Sequence, residues 1–179
     1  MAAHAAFEVL PWAEVCAGIP SPRVRVLGRY ARELSAELAA REPAASVQAG
    51  LGSEVPDQPD ILILTRGGDF WGLGWARPDL IRNVRHRLIL PIQTEPRRPE
   101  DETTAVRARL RLELHRLGFT QVRHMFCRGH GGGVVWVDTT LVTPEPDAVN
   151  RMANDPVVAG LVPPSTWFIA DRVATEEAR

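Results

Sequence analysis

The chain has 179 residues, 45% of them hydrophobic and 24% charged, with a formal net charge of −1. That composition suits one globular domain with a real core, and no apolar run approaches the ~20 residues that a bilayer-spanning helix needs. All 21 basic residues are Arg, which excludes Schiff-base, pyridoxal-phosphate, P-loop and kinase-type mechanisms, because each relies on a lysine amine that a guanidinium cannot replace.

Two cysteines, Cys16 and Cys127, make no disulfide framework, and the first eight residues lack a basic, apolar leader. A cytoplasmic location with no membrane partner is therefore expected. The small net charge hides an asymmetry. Residues 66–128 carry 13 Arg against 7 acids, whereas residues 1–65 carry 5 against 8 and residues 129–179 carry 3 against 7. Either the thirds neutralise one another on folding, or the middle third presents a basic face to an anion.

Taken in order, Pro11 to Ile19 fits a short helix, with Trp12, Val15, Cys16 and Ile19 on one stripe. Cys16 then reads as a small core residue. Ser21-Pro22 fits an N-cap and first helical position, and Leu27, Tyr30, Ala31, Leu34 and Leu38 extend a stripe towards Pro43. Glu37 and Arg41 stand in the favourable i,i+4 order. Residues 42–59 are rich in small and turn-forming residues, and they form either an edge strand from Ser46 to Leu51 or a flap.

Asp60 to Arg66 is apolar on both faces and reads as a central strand. Gly67-Gly68 fits a two-residue turn, which would pair Arg66 with Asp69, Leu64 with Trp71 and Ile63 with Gly72. One face of that hairpin would carry Trp71 and Trp75, and the other a trough beside Gly72 and Gly74. Pro78-Asp79 opens a helix reaching Arg87, with Leu80, Ile81, Val84 and Leu88 inward. Leu88 to Gln93 is a strand that Pro91 demotes towards an edge, and residues 94–101 are a linker.

Glu102 to Leu117 carries the clearest helical stripe, Val106, Leu110, Leu114 and Leu117, stopped by Gly118 with Phe119 folding back. A second hairpin pairs Thr120 to Arg128 with Gly133 to Val142 across a four-residue loop. Its register sets Met125 opposite Trp136 and Arg123 opposite Asp138. A short helix begins at Thr143-Pro144, and Thr166 to Asp171 is a last strand. Residues 1–174 are expected to form one domain and residues 175–179 a frayed tail.

The expected fold class is α+β: a largely antiparallel sheet built from two β-hairpins, with helices packed mainly on one face. The element order also fits an internal α-β-β-α-β duplication. His124, Cys127, His130 and Asp138 resemble a thiolate–imidazole–carboxylate set, yet His124 and Cys127 are an odd number of strand residues apart and face opposite ways. No catalytic residue is assigned. The His-x-x-Cys-x-x-His spacing does not converge on a metal, so neither a metal nor a cofactor is expected. Residues 129–133 lead from strand to strand and match neither the dinucleotide fingerprint nor a P-loop.

The residues that remain as candidate binding positions are Arg66, Trp71, Gly72, Gly74, Trp75, Arg107, Arg109, Arg111, Arg128 and His130. The leading functional reading is a non-catalytic interaction or regulatory module that binds a protein partner, or a second copy of itself, through its sheet face and Arg-bearing loops. One alternative is a nucleic-acid or phosphorylated-ligand binder using residues 66–128. The other is a small-molecule enzyme with a pocket near Gly72 and Gly74.

Overall fold

Val24 and Val26, alternating with Arg23 and Arg25, make a strand, not the start of a helix: β-branched residues at every second position suit a pleated surface with one buried face. The computed structural model describes residues 10–28, 31–50, 58–65, 78–91, 110–130, 133–138 and 166–172. Its elements are α1 (Trp12–Val15), β1 (Arg23–Leu27), α2 (Ala31–Arg41), β2 (Ser46–Gly50), β3 (Ile61–Leu64), α3 (Pro78–Arg82), β4 (Arg87–Pro91), the helix α4 (110–116), β5 (Gln121–His130), β6 (Gly133–Asp138) and β7 (Thr166–Asp171). The helix expected from Ser21 is thus split. Ser21 takes a positive φ of 46°, and Gly28 turns the chain at φ 110° before α2 begins at Ala31.

The strands form one seven-stranded sheet in the order β2-β1-β3-β4-β7-β5-β6. β1 pairs in parallel with β2 and β3, and β3 pairs in parallel with β4. β7 then enters antiparallel between β4 and β5, and β5 and β6 form an antiparallel hairpin. Five strands (β1 to β5) therefore run in one direction and two against it. This corrects the expected antiparallel sheet of two hairpins. The deciding strand is β3, which has only two edges. One is taken by β1 (Val24 opposite Ile61) and the other by β4 (Ile61 opposite Arg87). Nothing remains for residues 69–75 to pair with along β3, although those residues themselves lie outside the described part of the chain.

The internal duplication falls with it. The first half joins its strands in parallel through helices, and the second half joins them antiparallel. The second hairpin does form, but its register is shifted by two residues. Met125 faces Asp138, Cys127 faces Trp136 and His130 faces Gly133, leaving Gly131-Gly132 between the strands in place of a four-residue loop. Two-residue connections match the twist of a hairpin, and a shift of two preserves which side chains share a face. Arg123 accordingly meets Glu14 at 2.6 Å and Asp171 at 3.5 Å, not the expected Asp138.

Helices cover both faces of this sheet, where one was expected. On one face Leu27, Leu62, Leu64, Leu88, Leu90, Phe168 and Ala170 pack with Leu80 and Ile81 of α3 and with Leu110 and Leu114 of α4. On the other, Val24, Val26, Ile61, Ile63, Ile89 and Ile169 pack with Val15 of α1 and with Ala31, Leu34 and Leu38 of α2. A strand buried on both faces reads as a continuous apolar run, and Ile61-Leu62-Ile63-Leu64 is buried at every position. β4 is likewise interior. Its ladder with β3 ends at Ile89, two residues before Pro91, so the missing imide N–H takes nothing from that ladder.

α4 ends as its glycine implies. Gly118, at φ 92°, donates its N–H to the carbonyl of His115 at 3.0 Å, and Phe119 donates to that of Leu114 at 3.0 Å, the paired bonds of a Schellman cap. Phe119 is fully buried beneath Arg172, whose guanidinium lies 4.4 Å from the ring centroid and caps α3 at the carbonyls of Ile81 and Arg82. Burial lowers the Arg172 pKa from its ordinary value.

Candidate functional site

The strand order reverses between β1 and β3. From β1 the chain passes through α2 on one face to β2. From β3 it passes through α3 on the opposite face to β4. Helices α2 and α3 thus follow these two neighbouring strands on opposite faces, the arrangement in which open α/β sheets hold ligands in a crevice at the carboxyl ends of the strands.

Leu27, Gly28 and Thr65 stand at that point, at the carboxyl ends of β1 and β3. Thr65 donates its N–H to the Leu27 carbonyl at 2.9 Å and its hydroxyl to the same oxygen at 3.2 Å. A side chain at Gly28 would collide with Thr65 Oγ1, and the positive φ disfavours one in any case. The Gly28 carbonyl accepts from the Ala31 N–H at 3.3 Å as α2 begins. The amino end of α2 thus opens at the crevice, where its dipole favours negative charge.

Sequence reasoning missed this site because it merged β1 with α2. The available signal was the alternating Val24 and Val26 followed by a glycine three residues before the helix, a strand–turn–helix pattern.

The candidate binding residues fall into three groups. Arg66, Trp71, Gly72, Gly74 and Trp75 lie outside the described residues, but they belong to the connection that leaves β3 at Thr65 and returns at Pro78. Arg128 and His130 lie in the last three residues of β5, on the same sheet edge as the crevice. With β4 and β7 between β3 and β5, they stand about 14 Å from it along the hydrogen-bonding direction at the usual strand spacing. Arg107 and Arg109 are outside the described residues, and Arg111 is half-buried on α4.

Three arginines of the basic middle third are engaged within the chain. Arg87 meets Asp171 at 2.5 Å, Arg123 meets Glu14 at 2.6 Å, and Arg85 lies 3.8 Å from Asp60. His124 is buried and packs against Phe168 with ring centroids 5.3 Å apart, as a core histidine does. Cys16 is half-buried, and its thiol is pushed up to about 11 by burial first and by Glu42 second, with Arg87 opposing. It is therefore a protonated thiol at neutral pH and not a nucleophile. Among the described residues no cluster of His, Cys, Asp and Glu could hold a metal ion, and no helix is long and apolar enough to cross a membrane.

No family model matches the chain, and no curated protein matches it. Among solved structures it is similar to a Thermotoga maritima protein described as a SAM-dependent methyltransferase, possible histamine N-methyltransferase. The identity is 10% and the TM-score 0.42, over 95% of this chain and 90% of that one. It is also similar to the protein EvdMO1, at 13% identity and a TM-score of 0.41, over 75% of this chain and 40% of that one. At these values the likeness carries no substrate, cofactor or residue role to this chain.

The expectation of a non-catalytic module that binds a protein through its sheet face is corrected here. That face is not free: from β1 across to β5 both faces of the sheet are packed, chiefly beneath α1 and α2 on one side and α3 and α4 on the other. The strand order instead places a topological switch point between β1 and β3.

Proposed function

We propose that this chain is a small-molecule enzyme of doubly wound α/β type, with its ligand in the crevice between the carboxyl ends of β1 and β3. The observation that carries the reading is the reversal of strand order at that point. The alternative drawn from the sequence, a pocket near Gly72 and Gly74, is compatible with it. Both glycines belong to the connection that starts at Thr65, on the rim of the crevice. In this reading Arg66, Trp71 and Trp75, which belong to the same connection, are candidate ligand contacts, and a reducing cytoplasm suits a chain whose two cysteines make no disulfide framework. With no lysine in the chain, any acid–base or nucleophilic step falls to other side chains.

The test is a ligand panel read by backbone NMR. Its members are adenine nucleotides, NAD, NADP and S-adenosylmethionine, the last being the cofactor in the description of the Thermotoga protein. The reading expects at least one of them to shift the amides of Leu27, Gly28, Ala31 and Thr65 ahead of all others. Shifts centred on the β5–β6 hairpin, or no binding across the panel, would contradict it.

A further inference from the structure

We propose that the β2 end of this crevice is an anion subsite built on Arg25, favouring a ligand that carries a phosphate or carboxylate there over one presenting a free ribose diol. The inference rests on the crevice reading above and adds the chemistry of the ligand.

Arg25 and Leu27 share a face of β1, and the Arg25 side chain crosses from the middle of that strand to the end of its neighbour. A Cβ built on Gly50 would lie 3.1 Å from Arg25 Nη2, 3.3 Å from Arg25 Nε and 2.8 Å from Leu27 Cδ2. Gly50 is the last residue of β2 and pairs with Leu27, so this guanidinium sits at the carboxyl edge, one strand from the crevice. The φ of Gly50 is not positive, so its backbone does not require glycine. What the glycine provides is the space that the guanidinium fills, and Arg25 Nε is buried there.

In sheets of this kind the group at the end of the second strand, roughly twenty residues after the first glycine, discriminates between ligands. A carboxylate there binds a ribose hydroxyl, whereas an arginine accommodates a phosphate. Ser46-Val47-Gln48-Ala49-Gly50 contains no carboxylate, and Arg25 occupies that position from the adjacent strand. Arg25 already holds an interaction within the chain. A guanidinium has five N–H donors in a rigid fork and can serve that contact and a ligand anion together.

The experiment is calorimetric titration of the whole chain with two matched pairs: 2′-AMP against adenosine, and citrate against its neutral triethyl ester. The subsite predicts that the anionic member binds at least tenfold more tightly in one pair, and the responding pair identifies phosphate or carboxylate as the natural group. Arg25→Gln should bring that ligand down to its neutral counterpart while circular dichroism stays unchanged. Should Arg25→Gln fail to fold, Arg25→Lys should retain part of the preference and Gly50→Ala, which displaces the guanidinium, should weaken it. No preference in either pair, or a preference that survives Arg25→Gln or Gly50→Ala, overturns the subsite. Adenosine binding that shifts Gly28 and Thr65 without any anion preference would remove the subsite and leave the crevice standing. No binding by any probe would remove both.

Discussion

Replacing Arg87 with Met should be among the most damaging single changes in this molecule. The Arg87 side chain, 9% exposed, donates Nε to Asp171 Oδ1 at 2.5 Å and Nη2 to Oδ2 at 3.3 Å. Its Nη1 also serves the carbonyls of Glu14, Val15 and Ala17 at 2.7, 3.1 and 2.9 Å, the carbonyls that α1 leaves open at its end. Breaking a buried ion pair costs about 3–5 kcal/mol. The lower end applies here, because Asp171 is 17% exposed and keeps Arg123 at 3.5 Å. Three carbonyls lose a charged donor as well, but α1 can lift and rehydrate them, which brings the total to about 3–4 kcal/mol. For a domain of this size that corresponds to a fall in Tm of about 6–16 °C. Urea denaturation and calorimetry measure it, with hydrogen exchange of residues 12–19 reporting the release of α1. In a double-mutant cycle with Asp171→Asn, the two changes should couple by at least about 1.5 kcal/mol. A loss below about 1 kcal/mol, or additive single changes, would refute the clasp.

Gly118→Ala should destabilise by about 1–3 kcal/mol, since a Cβ there meets Arg172 Nη1 at 2.7 Å in a left-handed backbone at φ 92°; a neutral result in thermal melts would contradict the cap. Cys16 should alkylate slowly at pH 8 and faster as pH approaches about 11, followed by mass spectrometry of its peptide. Its folded pKa is raised, so the unfolded thiol ionises first, near pH 8.5. The stability that the protonated thiol contributes is therefore present below that pH and is lost as pH rises to about 11. Cys16→Ala should flatten that part of the curve, and an unchanged slope would count against the assignment.

How much of this was legible in the sequence depended on whether a signal was local. Ile61 to Leu64 announced a doubly buried strand by its unbroken apolar run, and Gly118-Phe119 announced the end of α4, because both signals sit within a few residues. β7 was readable to its boundaries for the same reason. The helical reading of Ser21 to Arg41 failed because Leu27 fits a 3.6-residue stripe as well as a pleated one, and the positive φ at Ser21 and Gly28 is a tertiary outcome. Gly67-Gly68 suggested a hairpin, but no local pattern reveals that both edges of β3 are claimed by strands far along the chain. The crevice was hidden for that reason: a switch point exists only once strand order is known. Arg25 over Gly50 could not be foreseen without the pairing of β1 with β2.

The account stands on β3 lying between β1 and β4 with all three strands parallel. Inter-strand amide and Hα contacts in a labelled sample test this most directly by NMR. The account predicts cross-peaks consistent with Val26 beside Ile63 and Ile63 beside Ile89 in the slanted pattern of parallel strands. Cross-peaks linking Ile63 to Gly72 in the perpendicular antiparallel pattern would contradict it, and the switch-point crevice would disappear with the parallel sheet.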